Sequence, residues 1–218
     1  MEKYSVFNLV KNAFSNHQNW DLAWKDPTPK KEYDVVIIGG GGHGLATAYY
    51  LAKEHNITNV AIIEKGWIGG GNVGRNTTII RSNYMYDDNA LFSAFGMDLW
   101  RKMSQDLNYN VMFSPRGIIN LAHSDAQMNV YARRGNSMRL NGIDAVLLNR
   151  EQVKEIIPMA DFSENVRFPI FGGLMQPSAG TARHDAVAWG YARQADAMGV
   201  DIIQNCEVTG FDVNGGKI

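Results

Sequence analysis

Cysteine is almost absent from this chain: one residue, Cys206, in 218. A lone cysteine excludes an internal disulfide framework, and any zinc cluster made from the cysteines of this chain alone, and it fits a reducing cytoplasm. Long hydrophobic runs are missing too. The longest candidates are strand-sized pieces such as VVIIGG, far short of the roughly 20 apolar residues that cross a bilayer. The opening MEKYSVFNLVKNAFSNHQNW has no positive cluster ahead of an apolar block, so it is not a secretory signal. Charge of one sign is also lacking. With 21 basic and 22 acidic residues the formal net charge is -1, which gives no electrostatic case for nucleic acid or a membrane surface as partner. There is no internal repeat and no low-complexity tract. What remains, 45% hydrophobic and 20% charged, is the composition of an ordinary globular domain or parts of two.

Residues 1–33 show no sustained period and contain DPTPKKEY, which reads as an extended arm. Trp20 and Trp24 would dock either on a partner or on this chain's own surface. From Tyr33 the pattern sharpens. DVVIIGG is a continuous apolar run of strand length, as for a strand buried on both faces of a parallel sheet. GHGLATAYYLAKEHN places small and apolar residues at helical spacing, and NVAIIEKG is a second strand closed by an acid. Strand, helix and strand over so short a span predict a βαβ unit with a right-handed crossover.

Farther on, DDNALFSAFGMDLWRKMSQDLN predicts a helix capped by Asp87 or Asp88. RGIINLAH predicts a strand, SDAQMNVYARRGNSMRLNG a helix stopped by Gly142, and NREQVKEIIP a short capped helix ended by Pro158. VRFPIFGGLMQPSAG reads as a strand pair around Gly172–Gly173. The end, NCEVTGFDVNGGKI, reads as a strand, a Gly-Gly turn and the start of a returning strand. A hairpin cut there leaves its ladder unpaired, so the expectation is the N-terminal part of a longer protein.

Between the first strand and helix lies GGGGHG, in which Gly39, Gly41 and Gly44 have G-x-G-x-x-G spacing. The first glycine permits a tight turn, the second lets a pyrophosphate approach the backbone, and the third lets helix and strand pack closely. Gly42 and His43 lie inside the same loop, where the helix N-terminus offers free N–H groups to phosphate. Glu64 ends the second strand; a carboxylate there accepts hydrogen bonds from ribose hydroxyls and repels a 2′-phosphate. A purely structural glycine turn is the competing reading. The next loop, KGWIGGGNVGRNTTIIRSNY, is long and glycine-rich and carries Asn72, Arg75, Asn76, Thr77, Thr78 and Arg81. An NAD domain moves promptly into another βαβ unit, whereas this loop suits a flavin's pyrophosphate and ring edge. A flexible surface loop with solvated arginines is the alternative.

YDVVIIGGGGHGLATAYYLAKEHNITNVAIIEKGW, GGNVGRNTTIIRSNY, and RHDAVAW with MGVDIIQNCEVTGF together resemble the β-subunit family of heterotetrameric sarcosine oxidases, from about residue 20 onward. More broadly the chain is similar to D-amino-acid-oxidase-like flavoenzymes. That resemblance implies an α/β fold, an FAD-binding Rossmann-type βαβ domain interleaved with the start of a β-sheet substrate domain and truncated at the C-terminus. The corresponding segments are 1–33 as arm, 34–110 as FAD-binding βαβ and flavin loop, 111–183 as the start of the substrate domain, and 184–218 as a return to the FAD domain.

The resemblance further implies non-covalent FAD, and FMN covalently attached to a histidine at the position of His184, with the basic Arg183 beside it. It implies oxidation of sarcosine to glycine, transfer of the one-carbon unit to tetrahydrofolate through a partner subunit, and electron flow from FAD through FMN to oxygen. The second histidine that the family often has two residues on is Ala186 here, which alters the flavin's surroundings without removing the attachment point. A neutral imidazole nitrogen is a competent nucleophile toward a flavin's 8-methyl carbon. The bland reading of His184 is a solvated helix-start histidine.

His43 and the backbone of Val208, in the strand CEVTGF, are expected to meet FAD. Catalytic groups are expected beyond residue 218, with Arg81 the one weak local candidate. Two rivals stand beside this reading. One is a single-chain amine or amino-acid oxidase, or a dimethylglycine oxidase-like enzyme, carrying FAD alone; the other is a non-catalytic nucleotide-binding scaffold.

Overall fold

The computed structural model describes residues 6–18 and 22–215. They fall into two compact units, one made of residues up to Asn76 together with those from His184 onward, the other of Thr77–Arg183. The first carries helix α1 (Val6–Phe14), strand β1 (Val35–Ile38), helix α2 (Gly42–His55) and strand β2 (Val60–Ile63). The second carries β3 (Ile79–Ile80), α3 (Asp87–Asp106), β4 (Ile118–Ala122), α4 (Asp125–Leu140), β5 (Val146–Asn149), α5 (Arg150–Ile156), β6 (Gly172–Gln176) and β7 (Gly180–Thr181). The chain then returns to the first unit with α6 (His184–Ala197) and β8 (Asp201–Ile203).

In the first unit β1, β2 and β8 form a parallel sheet in that order, with Val35 opposite Val60 and Ala61 opposite Asp201. Helix α2 buries Leu45, Ala48, Tyr49 and Ala52, a stripe at i, i+3, i+4 and i+7. Helix α6 answers with Ala188, Ala192 and Ala195, small enough for close approach, and the Tyr49 and Tyr191 rings meet edge-on at 5.4 Å. Burial on both faces holds for β2, where Val60, Ala61 and Ile62 are inaccessible. It does not hold for β1: Val36 and Ile38 are 50% and 54% exposed. An edge strand points alternate residues to opposite faces, and only the inner alternation of β1 is covered.

The lead-in departs from an extended arm. Residues 6–14 form α1, in which no residue is buried and Val6, Phe7, Val10 and Phe14 are exposed. Nine residues of helical spacing are a short signal, diluted by the irregular sequence that follows. Trp20 lies outside the described residues, while Trp24 is half-buried. The later arm is tied to its own unit: the Lys25 amide donates to Asp196, and Lys30 and the Tyr33 hydroxyl both reach Asp201 at 3.0 Å.

In the second unit β4, β6 and β5 form an antiparallel sheet with β6 central. Ala90, Met138, Ile143, Ala145 and Leu174 make one core cluster, and Leu148, Val153 and Ile170 another. Residues 77–110, grouped on sequence with the dinucleotide domain, cluster here instead, because β3 pairs with β7 and Ala90 of α3 packs against Met138 of α4. Gly172 and Gly173 do not turn a strand pair; both lie within β6. A Cβ on Gly172 would stand 2.4 Å from the Leu148 carbonyl oxygen, and one on Gly173 2.9 Å from Ile119, so close approach of neighbouring strands explains both glycines. Tyr86 occupies the N-cap of α3 without a side-chain bond, which leaves Asp87 and Asp88 in the first turn rather than capping it. The expected strand CEVTGF is not formed either. Regular pairing ends at Ile203, Asn205 is left-handed (φ 54°), and Val208 sits in irregular chain. The second glycine of the expected terminal turn, at 216, lies outside the described residues.

Candidate functional site

The first unit brings most of the predicted residues together around the start of α2. Gly39 follows β1 at φ +108° and donates its N–H to the Ile63 carbonyl at 2.8 Å, which extends the parallel β1–β2 pairing to the start of the turn. A Cβ on Gly44 would fall 2.1 Å from the Gly39 carbonyl oxygen, so no other residue fits there. Gly41 is the helix N-cap, with extended backbone and no side-chain bond. Gly41 and Gly42 face open space apart from Val73, whose methyl carbon would lie 4.0 and 3.4 Å from their added Cβ atoms. His43 is exposed in the first turn. The result is an uncapped helix start with room for a ligand against its backbone amides.

Glu64 is half-buried beside this turn. Its Oε2 accepts the Gly40 N–H and its Oε1 the Gly66 N–H, each at 2.8 Å. The carboxylate therefore joins the glycine turn to the following loop, and each oxygen keeps lone-pair capacity for a further donor. That loop is held at several points. Gly69 donates to the Gly40 carbonyl at 3.0 Å, Ile68 donates to Gln204 Oε1 at 2.9 Å, and a 3₁₀ turn spans Asn72–Arg75. Asn76 Nδ2 closes the turn on the Val73 carbonyl at 2.6 Å. Asn72, Arg75 and Asn76 are exposed on it. Thr77, also exposed, is the first residue of the second unit.

His184 opens α6, which packs on the same loop: a Cβ on Gly69 would meet Ala188 at 3.5 Å. Its Nδ1 is buried and has no hydrogen-bond partner, the one such side-chain atom among the described residues. An unsatisfied buried ring nitrogen is costly and calls for an explanation. Arg183, on the second-unit side of the crossing, has an exposed side chain, and its backbone donates to Val111 at 3.0 Å. Ala186 is buried. Val208 is half-buried outside any strand; nearby, the Cys206 amide donates to the Glu64 carbonyl at 3.0 Å. The sequence did not single out Gly40, Val73 or Gln204, since a main-chain donor, a packing methyl and a remote amide carry no motif.

The second unit holds a separate polar cluster. Arg81 forms part of the wall of an open, largely apolar cavity of about 330 Å³ with Phe92, Phe95 and Trp100. Its Nη1 donates to Asn83 Oδ1 at 2.5 Å, and its guanidinium lies 5.0 Å from the Tyr84 ring centroid. Arg134 of α4 donates from both Nε and Nη2 to the Asn83 carbonyl oxygen, and Nη2 reaches Asn83 Oδ1 at 3.1 Å. Burial, and next the Arg81 charge, hold the Arg134 guanidinium below the usual arginine range.

Comparison with known proteins follows the same division of the chain. A family model described as FAD dependent oxidoreductase matches residues 34–218. Sarcosine oxidase subunit beta of Rhizobium meliloti is 59% identical over 216 residues, 99% of this chain and 52% of that protein. The corresponding protein of Rhodobacter capsulatus is 51% identical over 218 residues, 100% of this chain and 52% of its own length. Among solved structures, L-proline dehydrogenase from P. horikoshii superposes with a TM-score of 0.76 at 28% identity, across 86% of this chain and 48% of that chain. The chain thus spans about half the length of the curated relatives it matches. With the family model running from the first strand of the sheet through both units, the chain belongs to the FAD dependent oxidoreductase family.

Proposed function

We propose that this chain is the FAD-binding part of a sarcosine oxidase β-type subunit. It would take part in oxidising sarcosine to glycine, with the one-carbon unit passed to tetrahydrofolate through a partner subunit and oxygen reduced to hydrogen peroxide. The reading rests on 51–59% identity to proteins of that name and on the cradle in the first unit. The enzyme would work in the cytoplasm as a hetero-oligomer, where Cys206 stays a thiol.

The residues present fit a dinucleotide. Gly41, Gly42, His43 and Gly44 would present first-turn amides to the pyrophosphate, and the Gly44–Gly39 contact leaves no side chain in the way. Glu64 would accept the ribose hydroxyls while its oxygens keep Gly40 and Gly66 in place. Asn72, Arg75, Asn76 and Thr77 would line the flavin, and the Val208 backbone would meet the adenine. When bound, the flavins would accept hydride from the amine and pass electrons onward. Arg81 is the local candidate for the substrate carboxylate.

FMN attachment at His184 is carried by one observation, the buried Nδ1 without a partner at the head of α6. A second ligand there would give that nitrogen its missing company, and Arg183 beside it would pair with a flavin phosphate. The test uses the full-length protein with its companion subunits, denatured in acid. Yellow colour retained on a peptide containing His184 is the expected result. His184→Ala should keep FAD and lose the covalent flavin. Colourless protein with all flavin released would point to the FAD-only rival, and a flavin-free complex to the scaffold.

A further inference from the structure

Three of the four buried polar side chains among the described residues, Ser82, Asn83 and Gln176, gather around the short segment that follows β3. Gln176 Oε1 accepts the Ser82 N–H at 3.0 Å, and its Nε2 donates to Ser82 Oγ at 2.7 Å. Asn83, fully buried, is held on every side. Its Nδ2 donates to Asn120 Oδ1 at 2.6 Å, its carbonyl takes both forks of Arg134, and its Oδ1 is shared by Arg81 and Arg134. Two guanidinium groups thus reach one amide oxygen, well inside a Debye length of each other. Among the described residues no carboxylate lies within ion-pair distance of either. A half-buried pair of like charges with a neutral bridge is an unbalanced arrangement, and one of the pair, Arg81, lines an apolar cavity.

We infer that Asn83 and Arg134 are positioning residues for Arg81: they fix its guanidinium at the cavity wall without neutralising its positive charge, so that a small carboxylate binds there. Asn83 is an amide rather than an acid: a carboxylate there would cancel one of the two positive charges and occupy the place of the ligand's charge. Arg134 adds a second positive charge behind the first and pins the backbone on which the amide is mounted. This rests on the reading of Arg81 as the carboxylate contact and deepens it.

The probe is sodium acetate, titrated calorimetrically into the full-length holoenzyme complex, alongside kcat and KM for sarcosine. Asn83→Asp keeps the Oδ1 and main-chain acceptors, exchanges the donor to Asn120 for a charged oxygen, and is expected to weaken acetate by about tenfold or more, with KM rising more than kcat falls. Arg134→Gln retains a donor without the charge and is expected to weaken acetate by about three- to tenfold, with Arg134→Lys restoring most of the loss. Thermal unfolding of each variant separates a folding defect from an anion effect. Unchanged acetate affinity in Asn83→Asp and Arg134→Gln, with Arg81→Met weakened, overturns this inference alone. No acetate binding by the unsubstituted complex, or none lost in Arg81→Met, overturns it together with the assignment of Arg81, while the flavin content remains as found. If Asn83→Asp does not assemble, the Arg134→Gln and Arg134→Lys pair decides. If none of these assembles, the cluster is structural and the inference falls.

Discussion

Single residues carry the chemistry of the first unit through what they omit as much as what they add. Gly44 is the clearest case, since a methyl group there would overlap the Gly39 carbonyl at 2.1 Å. Gly44→Ala is expected to destabilise the fold by about 3 kcal/mol or more and to abolish FAD retention, read by denaturant unfolding and by flavin content after gel filtration. Glu64→Gln is a milder lesion. One amide oxygen still accepts from Gly40 or Gly66, but the other partner meets an NH₂ group, so a loosened loop and weaker FAD binding at retained fold are expected, checked by FAD titration. Gly44 was legible in the sequence, because a close approach requires glycine; Glu64 stood out there as an acid at a strand end, and the structure shows its carboxylate taking the Gly40 and Gly66 amides. Asn83 and Arg134 were not legible: they lie 51 positions apart and form no spaced motif.

At the scale of elements, the sequence pattern located helices α2 to α6 and strands β1, β2 and β4, but passed over α1 and the short strands β3, β5, β7 and β8. Helix α5 is the cleanest success. Asn149 Oδ1 accepts the Gln152 N–H at 2.9 Å, and the Gln152 side chain returns the bond to the Asn149 N–H at the same distance. Asn149→Ala is expected to cost about 1 kcal/mol, measurable as a lower denaturant midpoint of the intact protein. Paired glycines misled in the other direction. Local chain sense reads Gly172–Gly173 as a turn, while the carbonyl of β5 and the side chains of β4 and α4 require the space. Beyond β8 the apolar residues Phe211 and Val213 stand two apart as in a strand, yet no neighbouring strand is present in the described residues to pair with them.

For the molecule as a whole, the chain crosses between its two units at Asn76–Thr77 and Arg183–His184. A ligand that binds only the folded first unit stabilises it by mass action. FAD at about 100 times its Kd should add about 2.7 kcal/mol. Removing FAD from the complex is therefore expected to lower the unfolding temperature, and adding it back to restore the value in a concentration-dependent way, followed by calorimetry. A temperature unmoved by FAD would mean that the folded protein does not bind the dinucleotide in preference to the unfolded chain.

By itself the sequence determined the βαβ unit, the glycine turn with its acid, and the loop leading into the second unit, because each depends on neighbours in the chain or on a fixed spacing. Tertiary structure alone decided that β1 keeps one face open, that residues 77–110 belong with the antiparallel sheet, that the His184 Nδ1 is buried and unpartnered, and that two arginines share Asn83. Those features depend on burial and on contacts between residues far apart in the chain, and neither quantity is written in local order.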